Sequence, residues 1–395
     1  MFHANLFNIF KGGVRKEGPY IYRNVQPASK REERSRSEAE MELLSDCPAH
    51  TSVPDKYVLP PEKRPSVLDD EPSSHVVPPV IDLHGAAVSD GRRRHLIAAE
   101  IIKASKEFGI FQVVNHGVSE DVVQGFREAA AGFFAMPAAE KLPYRSDDLS
   151  KHFRVSSSTP YDRNGDRYWL DYLKITCHPV TDEHVREWPD KPGSFRGALA
   201  EYSAAVHELA QTLLRLIAEG LGLDDGFFAG DLSSGNTQMN VNYYPPCPDP
   251  SLTLGLLPHC DRHLITVLSQ GDVAGLQARH GGRWLLVRPV PGAFVVNLGH
   301  QMEIITNGLL ASVEHRAVTK ADAARLSVVT LVMPKMECRI GPAPEMVNES
   351  TGPARFREFE FSEFIKAYSA AAASREDVLD YFRIHSTASS GSAAP

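Results

Sequence analysis

Long apolar runs are missing from this chain. No stretch approaches the roughly 18 to 20 uninterrupted apolar residues that a membrane span needs, and no signal-peptide core opens it. Cysteine is sparse: five in 395 residues (Cys47, Cys177, Cys247, Cys260 and Cys338), an odd number and never in a CxxC pair. That pattern argues against a disulfide framework and against a structural zinc site, and it points to a reducing compartment. Excess charge of one sign is also lacking, since 42 Lys and Arg against 50 Asp and Glu leave a formal net charge of −8. Nothing therefore draws the whole molecule to nucleic acid or to anionic lipid. No internal repeat is visible. What these absences leave is a small-molecule enzyme, expected to be a cytoplasmic monomer (the nucleus being a second compartment) with no nucleic-acid or membrane partner.

The chain is long enough to bury a substantial core in one large unit or two smaller ones. Residues 1–40 run from MFHANLFNIFKGGVRK, weakly amphipathic and basic, into the charge-mixed SKREERSRSEAE. A disordered extension is expected there rather than a transit peptide, because five acids fall within it, and Met41 is a candidate true start. Residues 41–235 are expected to form an N-terminal, mostly helical domain that begins with a Pro-rich wrap or linker. Its first helix covers 91–108 with Leu96, Ile97, Ile101, Ile102 and Ala104 on one face, and Gly109 stops it. The strand IFQVVNHGV follows, then the helix VVQGFREAAAGFFAMP closed by Pro137, then a long helix over 192–221 with Gly220 and Gly222 as candidate caps. From 236 to 336 the pattern changes to short β-type runs (QMNVNYY, LITVLSQ, GLQAR, RWLLV, AFVVNL, SVEHRAV, RLSVVTLVM) between Gly, Pro and Asp turns, as in a sandwich or barrel. A C-terminal segment and helix over 337–384 and a disordered tail over 385–395 complete the chain.

Chemistry concentrates in the β-rich part. His259 and Asp261 stand two residues apart in LPHCDRH, so in extended backbone both side chains leave the same face. His315, in SVEHRAV, follows 315 − 261 = 54 residues later. Two imidazoles and one carboxylate that leave coordination positions open are the ligand set of non-haem Fe(II) oxygenases. An isolated HxD is common by chance; the combination carries the weight. Arg325 and Ser327 form a second i, i+2 pair, a guanidinium fork and a hydroxyl aimed together at a carboxylate. Asn242 and Tyr244 form a third. These four suit the distal carboxylate of 2-oxoglutarate.

Taken together, HCD, EHR, RLS, NYYPPCPDPSLTLG, VAGLQ, FVVNLG, FQVVNHG and FFAMPAAEK resemble the plant 2-oxoglutarate- and Fe(II)-dependent dioxygenases from about Val77 to Ile384. Within that family the chain is most similar to the hyoscyamine 6β-hydroxylase and mugineic-acid dioxygenase type. The resemblance implies an α+β, mainly β fold: a double-stranded β-helix (a cupin-like jelly roll) flanked by helices. It implies Fe(2+) on His259, Asp261 and His315, 2-oxoglutarate on Arg325, Ser327, Tyr244 and Asn242, O2 as co-substrate, and ascorbate as reductant. No catalytic side chain is implied beyond the iron ligands, and His116 in VVNHG is structural. The chain departs from frequent family patterns at LGHQ, where His300 replaces a carboxylate, and at CDRH after the first ligand. Candidate pocket residues are Asn240, His263, His300, Leu331, Met333, Tyr168 and Tyr172.

The expected reaction is hydroxylation of a small plant specialised metabolite (alkaloid, amino-acid-derived or indolic), with release of succinate and CO2. A hormone-processing oxidase acting on a gibberellin- or auxin-like acid shares the same motifs. So does an ascorbate-using ethylene-forming oxidase. The aliphatic Leu331, where an aromatic would stack a flat ring, argues against a flavonoid. Few basic residues stand near the motifs, which argues against a polyanionic substrate and leaves a single carboxylate open.

Overall fold

Strands buried along most of their length build the centre of the fold. The computed structural model describes residues 43–385 except 48, 66–76, 87–90, 147, 149, 159–166, 236, 350, 351 and 371–374. The extension expected over 1–40 and the tail from 386 onward lie outside the described residues. One eight-stranded sheet runs in the order β1 (Val80–Asp82), β2 (Ile110–Val114), β10 (Phe294–Leu298), β7 (Ile265–Ser269), β12 (Arg325–Val332), β5 (Thr237–Tyr244), β4 (Asp171–His178) and β3 (Phe153–Ser157). A four-stranded sheet runs β6 (Leu256–His259), β11 (His315–Ala317), β8 (Leu276–His280), β9 (Arg283–Leu286). Only β1 and β2 pair in parallel among the named ladders of these two sheets. The jelly-roll core with flanking helices expected from the resemblance is therefore what the chain forms.

Half of the large sheet comes from the N-terminal segment. FRVSS and DYLKITCH supply β3 and β4, whose Phe153, Val155, Leu173 and Ile175 are buried at period two while Tyr172 and Lys174 take the other face. The expected mostly helical character of that segment thus misses two strands that extend the edge of the large sheet.

Three helices flank it: α1 (Gly91–Phe108), α2 (Glu120–Ala135) and α3 (Phe195–Leu221). Both α1 and α2 pack on α3. In α1 the buried face is Ile97, Ala98, Ile101, Ile102, Ala104 and Ser105, and Leu96 stands 52% exposed. Its inclusion in the apolar face was wrong, because it leads Ile97 by about 100° around the helix, out of the stripe that meets α3. Of the two candidate caps on α3, Gly222 is the C-cap, at φ 73°. Gly220 serves a different purpose: a Cβ there would lie 2.5 Å from Ile102 Cγ1 and 2.8 Å from the Ala98 carbonyl, so its bareness lets α1 and α3 close.

The Pro-rich stretch is ordered against the β core. Leu43, Leu44, Tyr57 and Leu59 are buried, Tyr57 meets Trp169 edge-on at 5.4 Å, and the Asp171 carboxylate accepts from the Leu44 and Ser45 amides at 2.9 and 2.7 Å. Near the site lies a short, wholly buried helix α4 (His300–Ile305), and the C-terminal segment forms two helices, α5 (Phe361–Ala370) and α6 (Arg375–Phe382).

Candidate active site

Antiparallel pairing of β6 with β11 sets His259 directly opposite His315, with ring centroids 4.3 Å apart. Asp261 lies just past the end of β6, where its backbone carbonyl accepts from the His300 amide at 2.8 Å. The chain can turn there because Gly299 has no side chain: a Cβ would sit 1.8 Å from the His263 carbonyl oxygen. Each imidazole Nε2 comes to 3.8 Å from Asp261 Oδ1, and the three candidate donor atoms lie within 4.8 Å of one another.

The tautomers follow from the partners. His259 Nδ1 donates to the Leu257 carbonyl (2.9 Å) and His315 Nδ1 to the Val313 carbonyl (3.1 Å), which leaves both Nε2 lone pairs facing the carboxylate. Burial, and then repulsion from His315, pushes His259 down to about 4, so it is neutral at physiological pH. Burial opposes charge on Asp261 too, yet the surrounding imidazoles and the Thr266 hydroxyl outweigh it and hold the carboxyl below its usual range. Thr266 on β7 donates to Asp261 Oδ2 at 2.6 Å, Asn297 on β10 reaches the same oxygen at 3.4 Å, and His263 Nε2 bonds Thr266 Oγ1 at 2.5 Å. Asp261 Oδ2 is thus tied back and Oδ1 turned toward the imidazoles. Two imidazoles and one ionised carboxylate on a common point, with their other atoms satisfied, fit a divalent iron ion that keeps open positions.

The second constellation is set by register. On neighbouring strands β12 and β5, Arg325 lies opposite Tyr244 and Ser327 opposite Asn242, so the two i, i+2 pairs occupy one face as a square of four side chains. The Arg325 guanidinium stacks over the Tyr244 ring at 5.1 Å and its Nε donates to the Val273 carbonyl at 3.1 Å. Burial pushes the Tyr244 phenol up and weighs against the Arg325 charge. Arg325 is 4% exposed and, among the described residues, pairs with no carboxylate. A buried guanidinium in that state suits an acidic ligand.

Both constellations open into one cavity of about 1360 Å³. Asn240, His263, Leu331, Tyr168 and Tyr172 line it, as do the seven residues of the two constellations. Two sequence-based candidates do not. His300 is completely buried at the start of α4, 5.7 Å from the Phe364 ring and 6.3 Å from that of Tyr368, because the turn at Gly299 swings it behind the Asp261 loop. Met333 lies one residue past the end of β12, its carbonyl bound by the Gly235 amide, and its side chain joins the main apolar core. Strand parity holds only as far as the strand.

The expectation of few basic residues is also overturned. Lys63, Arg64, Lys106, Arg262, Arg279 and Arg283, drawn from four separate segments of the chain, all line the cavity. Sequence reasoning also missed Thr266 and Asn297, which hold the carboxylate. Thr266 alone carried a signal, as a hydroxyl five residues after Asp261 in an otherwise apolar strand. His116 has the structural role expected for it, bonding the Gly292 carbonyl at 2.7 Å and meeting Phe294 edge-on at 4.8 Å.

Known proteins align with this picture. Residues 235–334 match the model of the 2OG-Fe(II) oxygenase superfamily, and residues 78–191 match the non-haem dioxygenase in morphine synthesis N-terminal model. The chain is 42% identical to 2'-deoxymugineic-acid 2'-dioxygenase of Hordeum vulgare over 327 residues, covering 83% of this chain and 93% of that one. It is 38% identical to hyoscyamine 6-dioxygenase of Hyoscyamus niger over 328 residues, covering 80% and 92%. Among solved structures it is similar to JOX2 in complex with 2OG, Fe and JA, with TM-score 0.75, 30% identity, and coverage of 87% of this chain and 96% of that one. A jelly-roll core of this kind, with these neighbours, defines an oxidoreductase of the non-haem iron class. The chain belongs to the 2OG-Fe(II) oxygenase superfamily, among its plant dioxygenases, and its family implies Fe(2+), 2-oxoglutarate and O2.

Proposed function

We propose that this dioxygenase hydroxylates a small plant specialised metabolite, using His259, Asp261 and His315 to hold iron and Arg325, Ser327, Tyr244 and Asn242 to hold 2-oxoglutarate. The observation that carries the reading is the meeting, in one cavity, of a three-donor set with satisfied outer atoms and a buried guanidinium that has no carboxylate partner among the described residues. Iron bound there would couple oxidative decarboxylation of 2-oxoglutarate, to succinate and CO2, with insertion of one oxygen atom into a substrate C–H bond. The protein's part is placement. Arg325 neutralises the far carboxylate of the co-substrate and Ser327 fixes its angle. Thr266 and Asn297 keep Asp261 from rotating, and Tyr168, Tyr172, Asn240 and Leu331 shape the space left for the substrate. Ascorbate is the proposed reductant, and the enzyme is proposed to work as a cytoplasmic monomer.

Support for an amino-acid-derived or alkaloid substrate comes from relatives named for mugineic acid and hyoscyamine. A second reading, oxidation of a hormone-like acid, is favoured by the similarity to a structure holding JA. The test is enzyme loaded anaerobically with Fe(II) and 2-oxoglutarate, then exposed to air with a plant metabolite extract. The expected result is a product one oxygen atom heavier than its precursor, formed with stoichiometric succinate. Turnover that needs ascorbate but yields no succinate would instead indicate the ethylene-forming type of oxidase.

A further inference from the structure

Beyond the part that lines the cavity, the same face of the large sheet continues into cations that have no carboxylate partner among the described residues. Cross-strand partners share a face, and one row crosses the sheet as Leu268, Val329, Asn240, Lys174 and Arg154. Leu268, Val329 and Asn240 line the cavity. Lys174 is the next member, half-buried, with Arg154 beyond it. Arg262, which also lines the cavity, lies over the Tyr368 ring at 5.8 Å and repels Lys174.

Among the described residues, neither Lys174 nor Arg262 has a carboxylate partner, whereas Arg279 in the same cavity pairs with Glu314 at 3.6 Å. Burial, then Arg262, then Arg154 pull the Lys174 ammonium down to about 8, so the site holds its positive charge against resistance. A fold tolerates such a repulsive, partly dehydrated pair when function requires it, because a ligand of opposite charge turns the repulsion into binding. The site is separate from the 2-oxoglutarate square. Val329 is 329 − 325 = 4 residues along β12 from Arg325, roughly 13 Å at strand spacing, and Lys174 lies two strands further across.

We propose that Lys174 and Arg262 form a second anion site that binds a carboxylate of the substrate, so that the enzyme selects acids over neutral compounds of the same shape. The proposal rests on the hydroxylase reading and narrows its substrate class. A carboxylate fits the pair, since the Arg262 fork and the Lys174 ammonium can each donate to one of its two oxygens.

The experiment divides the plant extract on a strong anion exchanger before incubation with the iron- and 2-oxoglutarate-loaded enzyme. Oxygenated products are expected from the retained fraction. They should vanish when that fraction is methyl-esterified and survive treatment with phosphatase. Products from the neutral flow-through alone, or loss on phosphatase treatment, would overturn the carboxylate site while leaving the hydroxylase reading intact. Products from neither fraction would sink both.

With the retained substrate in hand, Lys174→Met and Arg262→Met should each raise its KM roughly 10- to 100-fold while the KM for 2-oxoglutarate stays unchanged. Lys174→Arg should recover most of the loss. Lys174→Met should also raise the melting temperature of the free enzyme, because it removes a repelled, half-buried charge. An unchanged substrate KM in both Met variants, or a lowered melting temperature for Lys174→Met, would overturn the assignment.

Discussion

The two ends of the cavity are built on opposite principles. At the iron end the donor set is tied back into the protein: Nδ1 of each imidazole on a backbone carbonyl, Asp261 Oδ2 on Thr266, Thr266 on His263. At the far end Lys174 and Arg262 repel each other, and neither has a carboxylate partner among the described residues. A reaction shared by a whole family is served by pre-organised geometry that needs no adjustment at the moment of use. Substrate choice is served by charges that are costly until the right ligand arrives. The difference separates the residues that define the chemistry from those that define its object.

That contrast can be broken experimentally. Asp261→Ala should have the largest effect, abolishing turnover by roughly 10³-fold or more through loss of iron, since the metal supplies the chemistry; metal content and succinate release would both read it. Wild-type succinate release in this variant would remove the carboxylate from the iron site. Arg325→Ala is expected to raise the KM for 2-oxoglutarate by roughly 10- to 100-fold, the worth of a charge-assisted hydrogen bond, with iron content preserved. A changed iron content would mean that the two constellations are not independent. Thr266→Val keeps the shape of β7 but frees Asp261 Oδ2, and iron affinity should fall about 10-fold by competition titration, at the low end for an outer partner of a metal ligand.

The smallest effect concerns acid. His259 and His263 are both pushed down to about 4 by burial, against about 6.5 in an unfolded chain. Between those values the unfolded state binds more protons, so stability rises with pH across that window and levels off above it. The melting temperature of metal-free enzyme should therefore fall as pH drops from about 6.5 toward 4. Iron should raise the melting temperature near neutrality and lose that effect as the pH falls, because it binds only the deprotonated imidazoles.

Much of the site was legible because it obeys local rules. Period-two alternation put Arg325 with Ser327 and Asn242 with Tyr244 on single faces, and the composition of HCD with EHR named the donor atoms. Seven strand-like runs after residue 236 correspond to β5, β7, β8, β9, β10, β11 and β12. The short β6, read only as the flank of HCD, has few residues with which to display a period. The same parity rule failed at Met333, where the strand had already ended, and the helical rule failed at Leu96, where a neighbour's position decides which arc is covered.

By itself, then, the order of residues determined the donor types, the faces they share along each strand, and the class of reaction they serve. Only the tertiary structure decided the rest. It set His315 across from His259, aligned β12 with β5 so that two pairs became one square, turned His300 into the core, and collected cations from distant segments around one cavity. Each of these depends on register and packing between segments far apart in the chain. Such long-range pairings leave no periodic trace in the strands that make them.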